Sequence, residues 1–361
     1  MQKRKLIIAG VFSSFLFVFA AQAFENQWDA ISTVGSWVHS ASYSVLSSSG
    51  VSCPFDSVSG TDGVSYGGFI YPYDRRVMRT KDDFDGDGKS DCWFYHDSQV
   101  WYIIYSSATQ TVSRLAFGLE NAISIPEDYD GDHLTDYAVY QESSGIWVAL
   151  PSSLDYTSVS MVFGGPGYSP LAADFDGDQK ADLAVYHRAS GVWSVMQSAN
   201  GYAVVSGSLG GTGYTALAGD YDEDDKADPV VYNEALGYFE ISMSGSSTVF
   251  RRSPYSIVGA SYGGPGFSLL ADDYDGDGCA DLAAYDRASG LWYVINYKLN
   301  PIIWGLQWGG TGYKPIQGDF DGDGLADASV FYRDLRDTIW SLNESTDGPQ
   351  TLSARSDRPR Y

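Results

Sequence analysis

The chain has 361 residues and a net charge of −24, with 46 acidic side chains against 22 basic ones. This length accommodates two average domains or one large repeat domain. A hydrophobic share of 44% and an aromatic share of 15% exclude a compositionally disordered chain. The shortage of clustered Lys and Arg excludes nucleic-acid binding, which depends on basic patches.

The first 23 residues have the pattern of a secretory signal. Lys3, Arg4 and Lys5 form a basic start, and an apolar run from Leu6 to Ala20 follows, which is too short for a comfortable membrane span. The small residues Ala21 and Ala23 then form a cleavage site. We therefore expect a cleaved signal peptide over residues 1–23 and a secreted or cell-surface protein, with the periplasm as the alternative destination. No stretch after the signal predicts a membrane span.

A nine-residue motif then occurs six times, with Asp at positions 1, 3, 5 and 9 and an aromatic residue at position 2. We number its copies loops 1 to 6. They are DFDGDGKSD from Asp83, DYDGDHLTD from Asp128, DFDGDQKAD from Asp174, DYDEDDKAD from Asp220, DYDGDGCAD from Asp273 and DFDGDGLAD from Asp319. The four Asp positions hold 24 of the 46 acids, so most of the acidity belongs to these loops.

Alternate carboxylates on a tight loop are the donor set that Ca²⁺ prefers, since Ca²⁺ takes six to eight oxygen ligands. Position 7 varies freely, which fits a main-chain carbonyl ligand. We predict up to six Ca²⁺ ions with a mainly structural role; a metal that bridges directly to a bound partner is the alternative. The predicted ligands are Asp83, Asp85, Asp87, Lys89 and Asp91; Asp128, Asp130, Asp132, Leu134 and Asp136; Asp174, Asp176, Asp178, Lys180 and Asp182; Asp220, Asp222, Asp224, Lys226 and Asp228; Asp273, Asp275, Asp277, Cys279 and Asp281; and Asp319, Asp321, Asp323, Leu325 and Asp327.

The loops recur at intervals of 45, 46, 46, 53 and 46 residues, which is the period of propeller blades or solenoid turns. Alternating apolar segments, abundant aromatics and Gly-rich turns predict an all-β chain. We expect a β-propeller of four-stranded blades, with each loop joining the first two strands. The second strand after each acidic loop contains an aromatic residue that would pack between neighbouring blades. These residues are Trp101, Trp147, Trp193, Tyr238, Trp292 and Trp340.

The blade count depends on the residues before the first repeat. Residues 77–350 hold the six repeats, and 351–361 form a tail. Residues 24–76 are about one blade long, and Gly35-Ser36-Trp37-Val38 resembles Gly145-Ile146-Trp147-Val148. We therefore predict one monomeric propeller over 24–361 with a seventh, calcium-free N-terminal blade, completed by strand exchange with the C-terminal tail. The alternative is six blades with an irregular N-terminal cap.

The repeats resemble the FG-GAP/VCBS family. The residues that carry the resemblance are GDFDGDGLAD with its following strand and the turns ASGVW and ASGLWYV. The resemblance covers most of residues 73–350. It implies the calcium-binding propeller of integrin alpha-subunit heads and of many exported bacterial proteins, with Ca²⁺ held by the four Asp of each loop. Loop 4 departs from the pattern, with Glu223 in place of Gly at position 4, so we expect weaker binding there.

The function that these features favour is a binding or adhesion module for an extracellular protein or a glycan. The seven additional residues of the fourth unit contain the basic pair Arg251-Arg252, a candidate ligand site. Trp304 and Trp308 either stack on sugars or pack between blades. A polysaccharide lyase or glycosidase is one alternative, although no catalytic motif supports it. A structural surface-layer component is the other.

Three cysteines allow one disulfide in an oxidising compartment. We expect Cys53 to pair with Cys92, because both lie in or near the irregular first part of the chain. Cys279 occupies position 7 of loop 5, where its carbonyl matters more than its sulfur.

Overall fold

The computed structural model describes residues 37–40, 43–46, 81–108, 111–244, 257–333, 337–344 and 348–355. The chain divides into two compact units, Met1–Arg76 and Val77–Tyr361. The first unit contains an antiparallel pair, β1 (Trp37–Ser40) and β2 (Tyr43–Leu46). The predicted signal peptide lies outside the described residues.

The second unit consists of six antiparallel sheets, which we call blades 1 to 6. In blades 2 to 6 four consecutive strands pair in chain order, and the described part of blade 1 has three strands. Blades 1 to 3 contain β3 (Cys92–His96), β4 (Val100–Ile104) and β5 (Val112–Ala116); β6 (Ile123–Ser124), β7 (Tyr137–Gln141), β8 (Ile146–Leu150) and β9 (Val159–Val162); and β10 (Tyr168–Ala173), β11 (Asp182–His187), β12 (Val192–Gln197) and β13 (Ala203–Ser208). Blades 4 to 6 contain β14 (Thr215–Gly219), β15 (Asp228–Asn233), β16 (Tyr238–Ser242) and β17 (Ile257–Ser261); β18 (Phe267–Asp272), β19 (Asp281–Asp286), β20 (Leu291–Ile295) and β21 (Pro301–Gln307); and β22 (Tyr313–Ile316), β23 (Ser329–Arg333), β24 (Asp337–Glu344) and β25 (Gly348–Arg355).

This architecture confirms an all-β propeller whose acidic loops join the first two strands of a blade. The one helical element within the described ranges is a 3-10 turn at Ser152–Leu154. No helix in that part of the chain is long and apolar enough to cross a membrane.

Period-two alternation places one large ring of each blade in the space between blades. In β12 the residues Trp193, Val195 and Gln197 are buried, while those between them are only partly covered. The predicted ring residues Trp101, Trp147, Trp193, Trp292 and Trp340 are all buried. The prediction for Tyr238 is wrong by one residue, because Phe239 pairs with Tyr232 in the register that Trp193 shares with Tyr186.

The hydrophobic core is divided into six clusters, each shared by two neighbouring blades. Phe84, Trp101 and Ile103 of blade 1 pack against Tyr137 and Val139 of blade 2, for example. The sixth cluster joins the last blade to the first, with Trp340 and Leu342 against Phe94 and Ile104. Burial of such large aromatic surfaces supplies most of the free energy that holds neighbouring blades together.

A ring of main-chain hydrogen bonds closes the propeller at six blades. The amide at position 8 of each loop donates to the carbonyl oxygen at position 1 of the loop in the preceding blade. The donor–acceptor pairs are Ser90–Asp319, Thr135–Asp83, Ala181–Asp128, Ala227–Asp174, Ala280–Asp220 and Ala326–Asp273, with N···O distances of 2.5–2.7 Å.

The bond from Ser90 to Asp319 joins blade 1 directly to blade 6, so no seventh blade lies between them. The six-bladed alternative is therefore confirmed, and the preferred count of seven is corrected. Strand exchange with the C-terminal tail does not occur among the described strands, since blade 6 pairs β22 to β25 in chain order.

Candidate metal centre

Five of the six acidic loops are anchored to the core through the aromatic residue at position 2, whereas Tyr129 of loop 2 is only partly buried and donates its hydroxyl to the Ile125 carbonyl. Phe175 and Tyr221 are fully buried, and Phe84, Tyr274 and Phe320 are at most 7% exposed. Alternation then directs the carboxylates at positions 1 and 3 away from this ring. The conserved spacing within the chain thus serves two purposes, because it anchors the loop and groups the acids.

The carboxylate at position 1 organises the loop backbone. Asp83 accepts hydrogen bonds from the amides of Gly86 at 2.6 Å and Gly88 at 2.9 Å, which are positions 4 and 6. The same two bonds recur at position 1 of every loop. This turn requires positive φ at both donor residues, a region that favours glycine.

Four residues other than glycine adopt this conformation. They are His133, Gln179, Glu223 and Asp225, with φ between 61° and 72°. Loop 4 alone has two of them, so the strain expected there from its sequence is present in its backbone.

The carboxylate at position 9 is buried in every loop. Asp182 accepts the amide of Phe175 through Oδ2 at 3.0 Å and that of Ser198 through Oδ1 at 2.7 Å. Burial, above all other influences, raises the pKa of this carboxyl to about 7 in Asp91, Asp136, Asp182 and Asp228, and to about 8 in Asp281.

The carboxylates at positions 1, 3 and 9 converge. In loops 1 to 5 one oxygen from each lies within 4.8 Å of the other two. A donor set made only of oxygens suits a hard cation such as Ca²⁺. Asp281 is fully buried, and its Oδ1 has no hydrogen-bond partner. A buried carboxylate oxygen without a donor is costly unless a cation compensates it, so the residues of loop 5 fit a bound metal.

The structure does not bring position 5 into this group of three. Its carboxylate instead accepts the amide of position 7, at 2.9 Å between Asp323 and Leu325 and at 2.9–3.1 Å in the other loops. The roles predicted for position 5 and for the carbonyl of position 7 therefore stay predictions.

The side chain at position 7 varies between loops but has a packing role in all of them except loop 5. It covers position 4 of the loop in the preceding blade, where a Cβ on Gly86 would lie 2.7 Å from Leu134 Cδ2 and one on Gly131 would lie 3.2 Å from Lys180 Cγ. Gly is therefore favoured at position 4 for space as well as for φ.

At loop 4 the larger residue is at position 4 and the smaller one is at position 7 of the next loop. Glu223 replaces Gly at position 4, and the next position 7 is the short residue Cys279 instead of Leu or Lys. Burial first, and then the nearby carboxylates of Asp277 and Glu223, raise the pKa of the Cys279 thiol above its usual range. The two departures from the repeat thus compensate each other.

Sequence reasoning missed a serine that contacts the acids of loops 1 to 4. Ser106, Ser152, Ser198 and Ser244 each donate a backbone N–H to position 9 at 2.5–2.7 Å. Their hydroxyls bond the position 5 carboxylate at 2.6–3.1 Å. The signal was available, because a serine follows position 9 by 15 or 16 residues in these four units.

The remaining candidate residues fall into two groups. Arg251, Arg252 and Cys53 lie outside the described residues, so the basic pair and the Cys53–Cys92 disulfide stay predictions. Cys92 and Cys279 are both buried. Trp308 packs against the core between blades 5 and 6 and donates to the Ser341 carbonyl at 2.8 Å, whereas Trp304 is 59% exposed.

Comparison with known proteins does not assign this chain to a family. No protein-family model and no curated protein matches this chain. Among solved structures, an Agrocybe aegerita lectin that recognises non-reducing terminal N-acetylglucosamine is similar, with a TM-score of 0.49 and 14% identity over 75% of this chain and 77% of that one. A streptogramin B lyase has a TM-score of 0.43 and 9% identity over 74% and 76%.

Proposed function

We propose that this protein is an exported calcium-binding propeller of the FG-GAP/VCBS type that serves as a binding module for an extracellular protein or glycan. The convergence of three carboxylates at positions 1, 3 and 9, each within 4.8 Å of the others, carries the proposal. Repulsion among these acids, of which the one at position 9 is buried in every loop, opposes folding unless a cation neutralises them. The Asp residues at positions 1, 3 and 9 would hold the Ca²⁺, and those at position 5 would complete the site.

The proposed role of the metal is structural. Position 1 of each loop accepts a hydrogen bond from the neighbouring loop through its main chain, while its carboxylate belongs to the acidic cluster. A cation bound to that carboxylate would therefore stabilise the contact between two blades as well as the loop itself.

The binding role is supported by the combination of a predicted secretory signal with a rigid scaffold whose connecting loops are free to vary. Its test is a glycan array and a pull-down from a cell surface, both at saturating Ca²⁺. Capture of a specific extracellular protein or glycan is expected, and failure of both assays would contradict the proposal.

Removal of the metal with a chelator tests the proposed calcium binding separately from the proposed binding function. A cation that binds only the folded state stabilises it by about 2.7 kcal/mol per site at a concentration one hundred times Kd. We therefore expect the melting temperature to fall by well over ten degrees in EDTA and to recover when excess Ca²⁺ is added. A melting curve that is the same in EDTA and in Ca²⁺ would refute calcium binding.

A further inference from the structure

The groove between blades 1 and 2 contains a cavity of about 290 Å³. Ile103 and Leu115 supply apolar side chains from blade 1. The rings of Tyr105, Tyr137 and Tyr156 complete the lining, together with Ser113 and Arg114. Ligand pockets span roughly 300–1,000 Å³, so this cavity suits one small ring and not a long oligomer.

Three tyrosines reach this cavity from three different elements. Tyr105 follows β4, Tyr137 begins β7, and Tyr156 lies in the turn after β8. The hydroxyls of Tyr105 and Tyr137 are 3.2 Å apart, and the rings of Tyr137 and Tyr156 are 6.1 Å apart at an angle of 55°. The cavity therefore offers aromatic faces beside a pair of hydroxyl groups.

The most exposed of these rings, that of Tyr156, lies in a turn with a strained backbone. Asp155 and Tyr156 have φ values of 57° and 56°, in the left-handed region that non-glycine residues seldom occupy. The Tyr156 side chain remains 47% exposed. A strained turn that exposes a large ring is costly and is typical of functional sites.

The lining has one charged side chain, that of Arg114, and six uncharged ones. Arg114 also borders the cavity, but it pairs with Tyr102 and its guanidinium lies 5.3 Å from the centre of the Tyr102 ring. Strand alternation places that ring on the face of the sheet opposite Ile103.

The neighbouring groove between blades 2 and 3 has the exposed tyrosine without its two partners. Tyr202 takes the place of Tyr156, with φ of 63° and 55% exposure. Pro151 and Leu183 stand where Tyr105 and Tyr137 stand in the first groove. Substitution of Tyr202 is therefore a matched control for substitution of Tyr156, because Tyr202 occupies the same position in a groove that lacks the other two tyrosines.

We propose that the cavity between blades 1 and 2 binds a neutral hexopyranose unit of a glycan. The C–H face of such a sugar stacks on tyrosine rings, and its hydroxyls match the hydroxyls of Tyr105, Tyr137 and Ser113. The one charged side chain of the lining, Arg114, lies against the Tyr102 ring. This inference rests on the proposed function and names the ligand class and its site.

The experiment is saturation-transfer NMR of the full chain in Ca²⁺, with the methyl glycosides of glucose, galactose, mannose and N-acetylglucosamine as probes. Free glucuronate is the charged comparison, and an N-acetylated phenylalanine amide represents an aromatic peptide side chain. We expect at least one neutral glycoside to bind and glucuronate not to bind.

Variants then locate the site. Tyr156→Ala is expected to weaken binding at least tenfold, and Tyr105→Phe, which keeps the ring and removes the hydroxyl, about threefold to tenfold. Tyr202→Ala should leave affinity unchanged. All three should retain the melting temperature of the unsubstituted protein.

The inference is overturned if no neutral glycoside binds, if the phenylalanine amide alone binds, or if Tyr156→Ala binds as well as Tyr202→Ala does. None of these results alters the response of the melting curve to EDTA, which tests the proposed calcium sites. A specific protein captured from a cell surface, with no sugar bound, would leave the proposed binding function intact and refute only this site.

Discussion

Loops 3 and 5 have the same four Asp positions but differ in what surrounds the acid at position 9. In loop 3 both oxygens of Asp182 accept backbone hydrogen bonds, one of them from Ser198. In loop 5 Asp281 accepts only the amide of Tyr274 through Oδ2, and Oδ1 has no partner. The blade around loop 5 also has register irregularities in β20 and β21.

The difference teaches that identical motifs do not give equivalent sites. In loop 3 the protein itself supplies donors to both oxygens of Asp182, and the oxygen without a partner is Oδ1 of Asp176 at position 3. In loop 5 the oxygen without a partner belongs to the fully buried Asp281. We therefore expect loop 5 to show the greatest difference between its metal-bound and metal-free forms, although its nine residues follow the repeat more closely than those of loop 4.

Neutralising the two acids should separate the loops most clearly. Asp182→Asn exchanges one acceptor oxygen for an amide nitrogen, so we expect it to lower the free energy of unfolding by about 1–3 kcal/mol in EDTA. In excess Ca²⁺ it should cost about 2.7 kcal/mol more, because it also removes a proposed ligand. Asp281→Asn should change stability by less than about 1 kcal/mol in EDTA and remove about 2.7 kcal/mol in excess Ca²⁺.

Urea unfolding in the two buffers measures both effects. Asp97→Asn, in the exposed turn between β3 and β4, is the control and should behave like the unsubstituted protein. A loss for Asp281→Asn in EDTA as large as that for Asp182→Asn would show that loops 3 and 5 do not differ in this way.

A double-mutant cycle tests the contact between loop 5 and loop 4, where Cys279 lies against Glu223. Cys279→Leu restores the residue found at position 7 of loop 6 and forces it against Glu223, so we expect a loss of about 1–3 kcal/mol from overpacking. Adding Glu223→Gly should recover most of this loss, since it removes the opposing side chain and the strained φ of 62°. Additive effects of the two substitutions would contradict the compensation inferred here.

The smallest expected effect concerns the serine hydroxyl. Ser198→Ala keeps the backbone bond to Asp182 and removes only the 2.9 Å bond to Asp178. We expect the stability gained from Ca²⁺ to change by about 0.5–1.5 kcal/mol. Ser206→Ala, on the exposed strand β13 of the same blade, is the matched control. If both variants respond alike, the hydroxyl has no role in organising loop 3.

Much of the local structure was predictable. Asp83 caps the amides of Gly86 and Gly88 within a single turn, so its role follows from residues that are at most five positions apart. The loops between first and second strands and the buried Trp residues were predictable for the same reason, because short-range spacing and alternation decide them. Ser198 was not identified, because its contact with Asp182 crosses a strand turn 16 residues later and has no signature within the motif.

The sequence by itself determined the six acidic turns and their period, because each turn is held by hydrogen bonds among its own nine residues. It predicted four grouped carboxylates in each loop, whereas the structure brings three of them together. Only the tertiary structure decided the number of blades, since the closing bond joins Ser90 to Asp319 across nearly the whole repeat region. It also decided that Phe239 and not Tyr238 faces the neighbouring blade, and that three tyrosines meet in one groove. These outcomes depend on how separate blades pack against each other, and spacing within one repeat carries no information about that packing.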